Sequence, residues 1–167
     1  MRKLTFAALG LLAFAFNSNA QSTATATATA TVITPISISK TTDMSFGNLA
    51  VQTSTGGTVV LAPAGTRTST SGVTLPLTTG TVTAAAFTVT GSGSSTYAIT
   101  LPTTVTLTHS GGVETMAASS FTSNPSATGA LSSGTQDIAV GATLTVAAGQ
   151  LAGVYTSGSF DVTVNYN

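Results

Sequence analysis

The chain has 167 residues, of which 4 are Lys or Arg and 4 are Asp or Glu, so charge makes up 5% of it, against about 25% in an ordinary soluble domain. A formal net charge of zero, with Arg2 and Lys3 among the four cations, leaves no clustered cations for nucleic acid. A hydrophobic share of 42% with a mean hydropathy of +0.43 argues against disorder, which pairs low hydrophobicity with high net charge.

Residues 1–20 read as a secretory signal. Arg2 and Lys3 form a positive n-region, Leu4 to Phe16 an apolar core, and Ser18-Asn19-Ala20 a small-x-small cleavage site. The core is shorter than the roughly 20 apolar residues of a membrane span, so no span is expected once the signal is removed. Cleavage after Ala20 would leave Lys40 and Arg67 against Asp43, Glu114, Asp137 and Asp161, a net charge of −2. The chain has no cysteine, which removes disulfides, thiolate chemistry and lipid attachment and leaves stability to the core and the sheet hydrogen bonds.

The segment 21–34 reads as an extended arm. Ala24, Ala26, Ala28, Ala30 and Val32 share one parity, continued by Ile36 and Ile38, while Thr23, Thr25, Thr27, Thr29 and Thr31 share the other. At about 3.3 Å per residue, Ala24 to Ile38 would reach roughly 50 Å, beyond a typical strand of about 17–20 Å. Pro35 divides it. The residues after Pro35 are expected to form the first strand of the domain, and Ala24 to Ile33 a strand-patterned segment without a partner in its own chain. The plainer alternative is a low-complexity spacer.

From residue 35 to 167 the pattern alternates with period two, and Thr fills 36 positions of the whole chain, as suits half-buried pleated surfaces. Strands are expected at Thr58 to Ala62, Val73 to Leu77, Ala85 to Thr90, Tyr97 to Leu101 and Val105 to His109. Others are expected at Met116 to Thr122, Gln136 to Val140, Ala142 to Val146 and Phe160 to Asn165. Gly, Ser and Pro clusters separate them, which predicts an all-β fold, a single two-sheet sandwich. Ala147 to Leu151 has some helical character, but Gly149 and Gly153 favour a turn. In the closing segment Phe160, Val162, Val164 and Tyr166 alternate with Asp161, Thr163 and Asn165. An apolar strand at a sheet edge invites a partner strand.

The run Ile36 to Leu49, with its Asp43-x-x-Phe46-Gly47 element, the central Ala86-Phe87-Thr88-Val89-Thr90-Gly91, and the tail from Gly141 to Tyr166 resemble DUF4402, a family of secreted bacterial domains of unknown function. More distantly, the Asp-x-x-Phe-Gly element and Ala147 to Tyr155 are similar to the spore-coat-U and archaic chaperone-usher pilin group. That resemblance implies an immunoglobulin-like, pilin-like sandwich short of one strand, completed by the arm of a neighbouring copy. The donor would be Ala24, Ala26, Ala28, Ala30 and Val32. The acceptor edge would include Phe160, Val162, Val164 and Tyr166, which a periplasmic assembly chaperone would hold before an outer-membrane usher adds the subunit to a fibre. The chain would then be a fimbrial structural protein at the cell surface.

Enzymatic chemistry finds little support in these residues. His109 is the one histidine, placed at a strand end before Ser110-Gly111-Gly112, where an exposed turn residue is expected. No serine sits in a Gly-x-Ser-x-Gly elbow, Gly91 to Ser95 lacks the phosphate-loop lysine, and the four carboxylates form no catalytic pair. No catalytic residue, cofactor or metal is expected; a calcium site at Asp43 or Asp137 would lack companion carboxylates. Tyr155 suits a corner hydrogen bond of the immunoglobulin-like kind. The alternative function is a monomeric secreted adhesin or carbohydrate-binding module, which would need exposed aromatics in a chain without Trp.

Overall fold

The structure, a computed structural model, describes residues 21–167; the signal reading of residues 1–20 lies outside the described residues. The chain divides into two units, one ending at Val32 and the other comprising Ile33–Asn167. In the first, residues 21–32 form no strand ladder and all are exposed. Among the described residues no helix is long and apolar enough to cross a membrane.

The second unit is all-β. Its strands are β1 (Ser37–Thr42), β2 (Ser45–Phe46), β3 (Ala50–Val51), β4 (Gly57–Leu61), β5 (Arg67–Ser71), β6 (Val73–Thr74), β7 (Val82–Thr83) and β8 (Ala85–Thr90). Then come β9 (Thr96–Thr100), β10 (Thr104–His109), β11 (Thr115–Asn124), β12 (Thr128–Ala130), β13 (Thr135–Val146), β14 (Tyr155–Ser157) and β15 (Thr163–Tyr166). The ladders between them are antiparallel.

β13 organises the main sheet, in which β1-β8-β13-β11-β10-β14 lie side by side and β4, carrying β5, also joins β13. Ile138, Val140, Ala142, Leu144 and Val146 alternate along it and are all buried, as period-two patterning requires. The first half of β13 pairs with β8 and the second with β4, while β11 lies along its other edge. Gly141 sits where the partner changes, and a Cβ there would lie 2.1 Å from the Leu61 carbonyl oxygen. The expected break at this glycine therefore does not occur: Gly141 admits a close backbone approach inside one twelve-residue strand. β11 bends where its register shifts between Ser119 and Thr122, with Ser120 at φ 49°, a bulge that turns the strand over the core.

The second layer is divided. A three-stranded sheet in the order β12-β9-β15 covers one half of the main sheet's inner face, and the two-stranded ladders β2-β7 and β3-β6 cover the other. Each half has its own core. In one, Phe87, Val89, Ile138 and Val140 of the main sheet meet Tyr97, Leu131, Val162 and Val164. In the other, Leu61, Met116, Ala118, Leu144 and Val146 meet Phe46 and Val73. Two layers sharing a buried interior make this a β-sandwich. Ala147 to Leu151 is a turn, with Gly149 at φ 64°.

Candidate functional site

The C-terminal strand keeps the expected alternation over a shorter ladder. Val164 and Tyr166 lie in β15, whereas Phe160 and Val162 precede it, because pairing with β9 runs only from Thr163↔Thr100 to Tyr166↔Tyr97. Val162 and Val164 are buried, Phe160 and Tyr166 are half-buried, and Asp161, Thr163 and Asn165 are exposed. β15 pairs with β9 alone, so its outer edge carries backbone donors and acceptors without a ladder. The Phe160 ring stands 5.5 Å from that of Phe121. The Tyr166 hydroxyl donates to the Thr34 carbonyl at 2.9 Å and accepts from the Ser92 amide at 2.6 Å, joining the last strand to the residue before Pro35.

A trough of about 1380 Å³ reaches the chain ahead of β15, at Phe160. One wall is the segment from Lys40 to Val51, the other the segment from Gln150 to Phe160, and the floor is the inner face of the main sheet at Val105, Leu107, Met116, Ala118 and Leu144. Two apolar side chains stand on its rim, Leu151 at 54% and Val154 at 65% exposure. Lys40 and Asp43 contribute the charged lining, and they neutralise each other across 2.6 Å.

Both walls are pinned by polar groups that the composition makes scarce. Arg67 in β5 donates to the carbonyls of Phe46, Asn48 (2.7 Å) and Thr79 (3.3 Å), holding the turn after β2. Five donors on a planar fork allow one guanidinium to hold several carbonyls at once. On the other wall the Glu114 Oε2 accepts from Gln150 Nε2 at 3.1 Å and from the Leu151 amide at 3.3 Å. Tyr155 donates its hydroxyl to the Leu151 carbonyl at 2.8 Å, the corner bond expected for this residue. His109, expected as an exposed turn residue, is half-buried; its ring centroid lies 5.0 Å from that of Tyr155. Its Nδ1 accepts from the Gly111 amide at 2.9 Å, which leaves the proton on Nε2, 3.3 Å from the Ala152 carbonyl.

The five donor positions, Ala24, Ala26, Ala28, Ala30 and Val32, are exposed, Val32 at 95%. Asp43 and Asp137 are tied up locally, the first with Lys40 and the second accepting from the Thr88 hydroxyl at 2.7 Å. Among the described residues no three His, Cys, Asp or Glu side chains group as metal ligands. Sequence reasoning about chemistry passed over the trough and Arg67. The available signal was the rarity of charge: a lone Arg in an almost uncharged strand reads as a clamp. The trough's lining carries two charged side chains, Lys40 and Asp43, which are paired with each other, and is otherwise uncharged.

A family model described as a domain of unknown function, DUF4402, matches residues 36–166. No curated protein and no solved structure matches the chain.

Proposed function

The chain belongs to the DUF4402 family, and from that premise we propose that it is an exported structural subunit of a bacterial surface fibre or coat. Subunits join by donor-strand complementation: the arm of one copy, with Ala24, Ala26, Ala28, Ala30 and Val32 turned inward, adds to the free edge of β15 in the next. The observation that carries this reading is the pairing of an unladdered, strand-patterned arm with an edge strand that has one partner. Main-chain hydrogen bonds would supply adhesion and alternate side chains the register. Val162 and Val164 already face inward beside that edge, so an added strand extends an existing apolar surface. In transit through the periplasm, the same edge is what a chaperone would cover, and an outer-membrane usher would pass the subunit on. The role is non-enzymatic. The carbohydrate-binding alternative lacks a platform, because none of Phe46, Phe87, Tyr97, Phe121, Tyr155, Phe160 and Tyr166 is exposed.

Two double variants test the donor role. Ala28→Asp with Val32→Asp would place carboxylates on the inward parity, at a cost of several kcal/mol, and should abolish detergent-resistant ladders on gels. Thr27→Asp with Thr31→Asp alters the outward parity and should retain them. Equal polymer yield from the two would remove donor-strand exchange and favour the spacer reading.

A further inference from the structure

His109 is the chain's one histidine, and it has no part in the proposed joint between subunits. Its half-buried ring is set as a bolt between two loops. On one side is the turn from β10 to β11, where the Gly111 amide donates to Nδ1 at 2.9 Å. On the other is the segment leading into β14, where Nε2 faces the Ala152 carbonyl at 3.3 Å. Glycines make the slot: a Cβ at Gly111 would stand 2.9 Å from Nδ1, and one at Gly153 would overlap the ring at Nε2. Both backbones thus approach the imidazole edge more closely than a residue with a side chain allows. The Tyr155 ring closes the slot at a centroid distance of 5.0 Å. Around the bolt the backbones also pair, with the Ser110 amide donating to the Val154 carbonyl at 2.9 Å and His109 lying opposite Tyr155 in the β10–β14 ladder.

This arrangement needs the neutral ring. Nδ1 must keep its lone pair to accept from Gly111 while Nε2 carries the single proton. A second proton, on Nδ1, would bring two donors face to face at 2.9 Å, and an attraction would become a repulsion. We propose that His109 is a pH-sensitive latch, closed when neutral and released by protonation, that holds residues 152–157 against the turn at 110–112. Histidine is the side chain whose ordinary titration falls between about pH 5 and pH 8, so mild acidification is the signal. The other titratable groups on residues 104–114 and 150–157 are Glu114 and Tyr155. Glu114 turns its carboxylate to Gln150 and Leu151, and the one ion pair among the described residues is Lys40 with Asp43, so the imidazolium gains no carboxylate partner. The Tyr155 ring would attract it, but that contact does not need the closed turn and does not replace the Gly111 bond. The released form takes up the proton without losing a bond, so linkage makes the closed population fall as pH falls. Because β14 has β10 as its only neighbour, release loosens the end of the main sheet and one wall of the trough, and leaves β13 in the sheet's interior in place.

Amide protection factors, each taken relative to an unstructured chain at the same pH, read the latch. Between about pH 7.5 and about pH 5, protection at Ser110, Gly111 and β14 should fall at least about tenfold while β13 holds steady. The fall should follow the titration of the His109 ring protons observed by NMR. His109→Gln cannot titrate, so protection at the same amides should be independent of pH, whatever its level. Glu114→Gln keeps an oxygen to accept from Leu151 and removes the other charge that titrates toward the acid end, so the fall should persist. Flat protection in the parent chain would overturn the latch. So would a fall that survives in His109→Gln, or one that vanishes in Glu114→Gln, which would assign the response to the carboxylate. A fall shared equally by β13 would mean global unfolding and would overturn it as well.

Discussion

Tyr97 shows how a chain short of charge still fixes its interior with polar detail. It is the largest fully buried side chain among the described residues, and its hydroxyl donates to Gln136 Oε1 at 2.6 Å, which also accepts from the Ala130 amide at 2.9 Å. Gly129 faces the ring across the β9–β12 ladder, and a Cβ there would lie 2.3 Å from the ring carbon Cζ. Gly129→Ala should therefore cost about 1–3 kcal/mol by overpacking, read as a lower denaturation midpoint. Tyr97→Phe keeps the ring and loses one bond, about 1 kcal/mol. Burial also pushes the Tyr97 phenol above its ordinary value of 10.0. The unfolded chain then releases this proton at lower pH than the folded one, so the contribution is intact below about pH 10 and falls as pH rises beyond it. Denaturant midpoints measured from pH 8 to pH 11 should fall at the alkaline end, and Tyr97→Phe should flatten that fall; an unchanged slope in the variant would assign it elsewhere.

At the scale of elements, the segment leading into β14 is held in part by one carboxylate. Replacing Glu114 with Ala removes the acceptor of the Leu151 amide and one of three acceptors of Gln150 Nε2, which keeps the Thr115 carbonyl and the Tyr155 hydroxyl; both lost bonds are exposed, so global stability should change by only about 1 kcal/mol. Hydrogen exchange should quicken at residues 150–157 and stay unchanged in β13, because local opening depends on local bonds. Uniform quickening would show that the wall is not separately pinned. The strands legible in the sequence are those whose apolar residues alternate. Ala85 to Thr90 became β8 with the expected bounds, and Val105 to His109 lies within β10. β5 reads Arg67-Thr68-Ser69-Thr70-Ser71 and escaped notice because a strand with no apolar residue gives no period-two signal. Val73 to Leu77 shortened to two residues, since Pro76 lacks the amide a ladder needs and Leu77 is fully exposed. The trough was hidden for another reason. Its walls overlap the two stretches that carried the more distant pilin resemblance, around Asp43-x-x-Phe46-Gly47 and Ala147 to Tyr155, but only tertiary structure brings them to one channel.

For the whole molecule, scarcity of charge determines how stability and assembly should respond to solution conditions. The described residues contain one ion pair, Lys40 with Asp43, and its side chains are 56% and 80% exposed, a setting in which such pairs contribute little. Core burial and strand hydrogen bonds must hold both the fold and any added arm. Raising sodium chloride from about 0.1 M to about 1 M shortens the Debye length from about 10 Å to about 3 Å, which would weaken charge-held subunits but leave subunits joined as proposed almost unaffected. The expected outcome is an unfolding temperature that moves by no more than about 2 °C and an unchanged ladder on gels, while sulfate, which strengthens apolar burial, raises both stability and polymer yield. Dissociation in concentrated sodium chloride would mean that ionic contacts join the subunits. The arm, which has no charge, lacks the groups to make such contacts, so that result would place the junction on another surface.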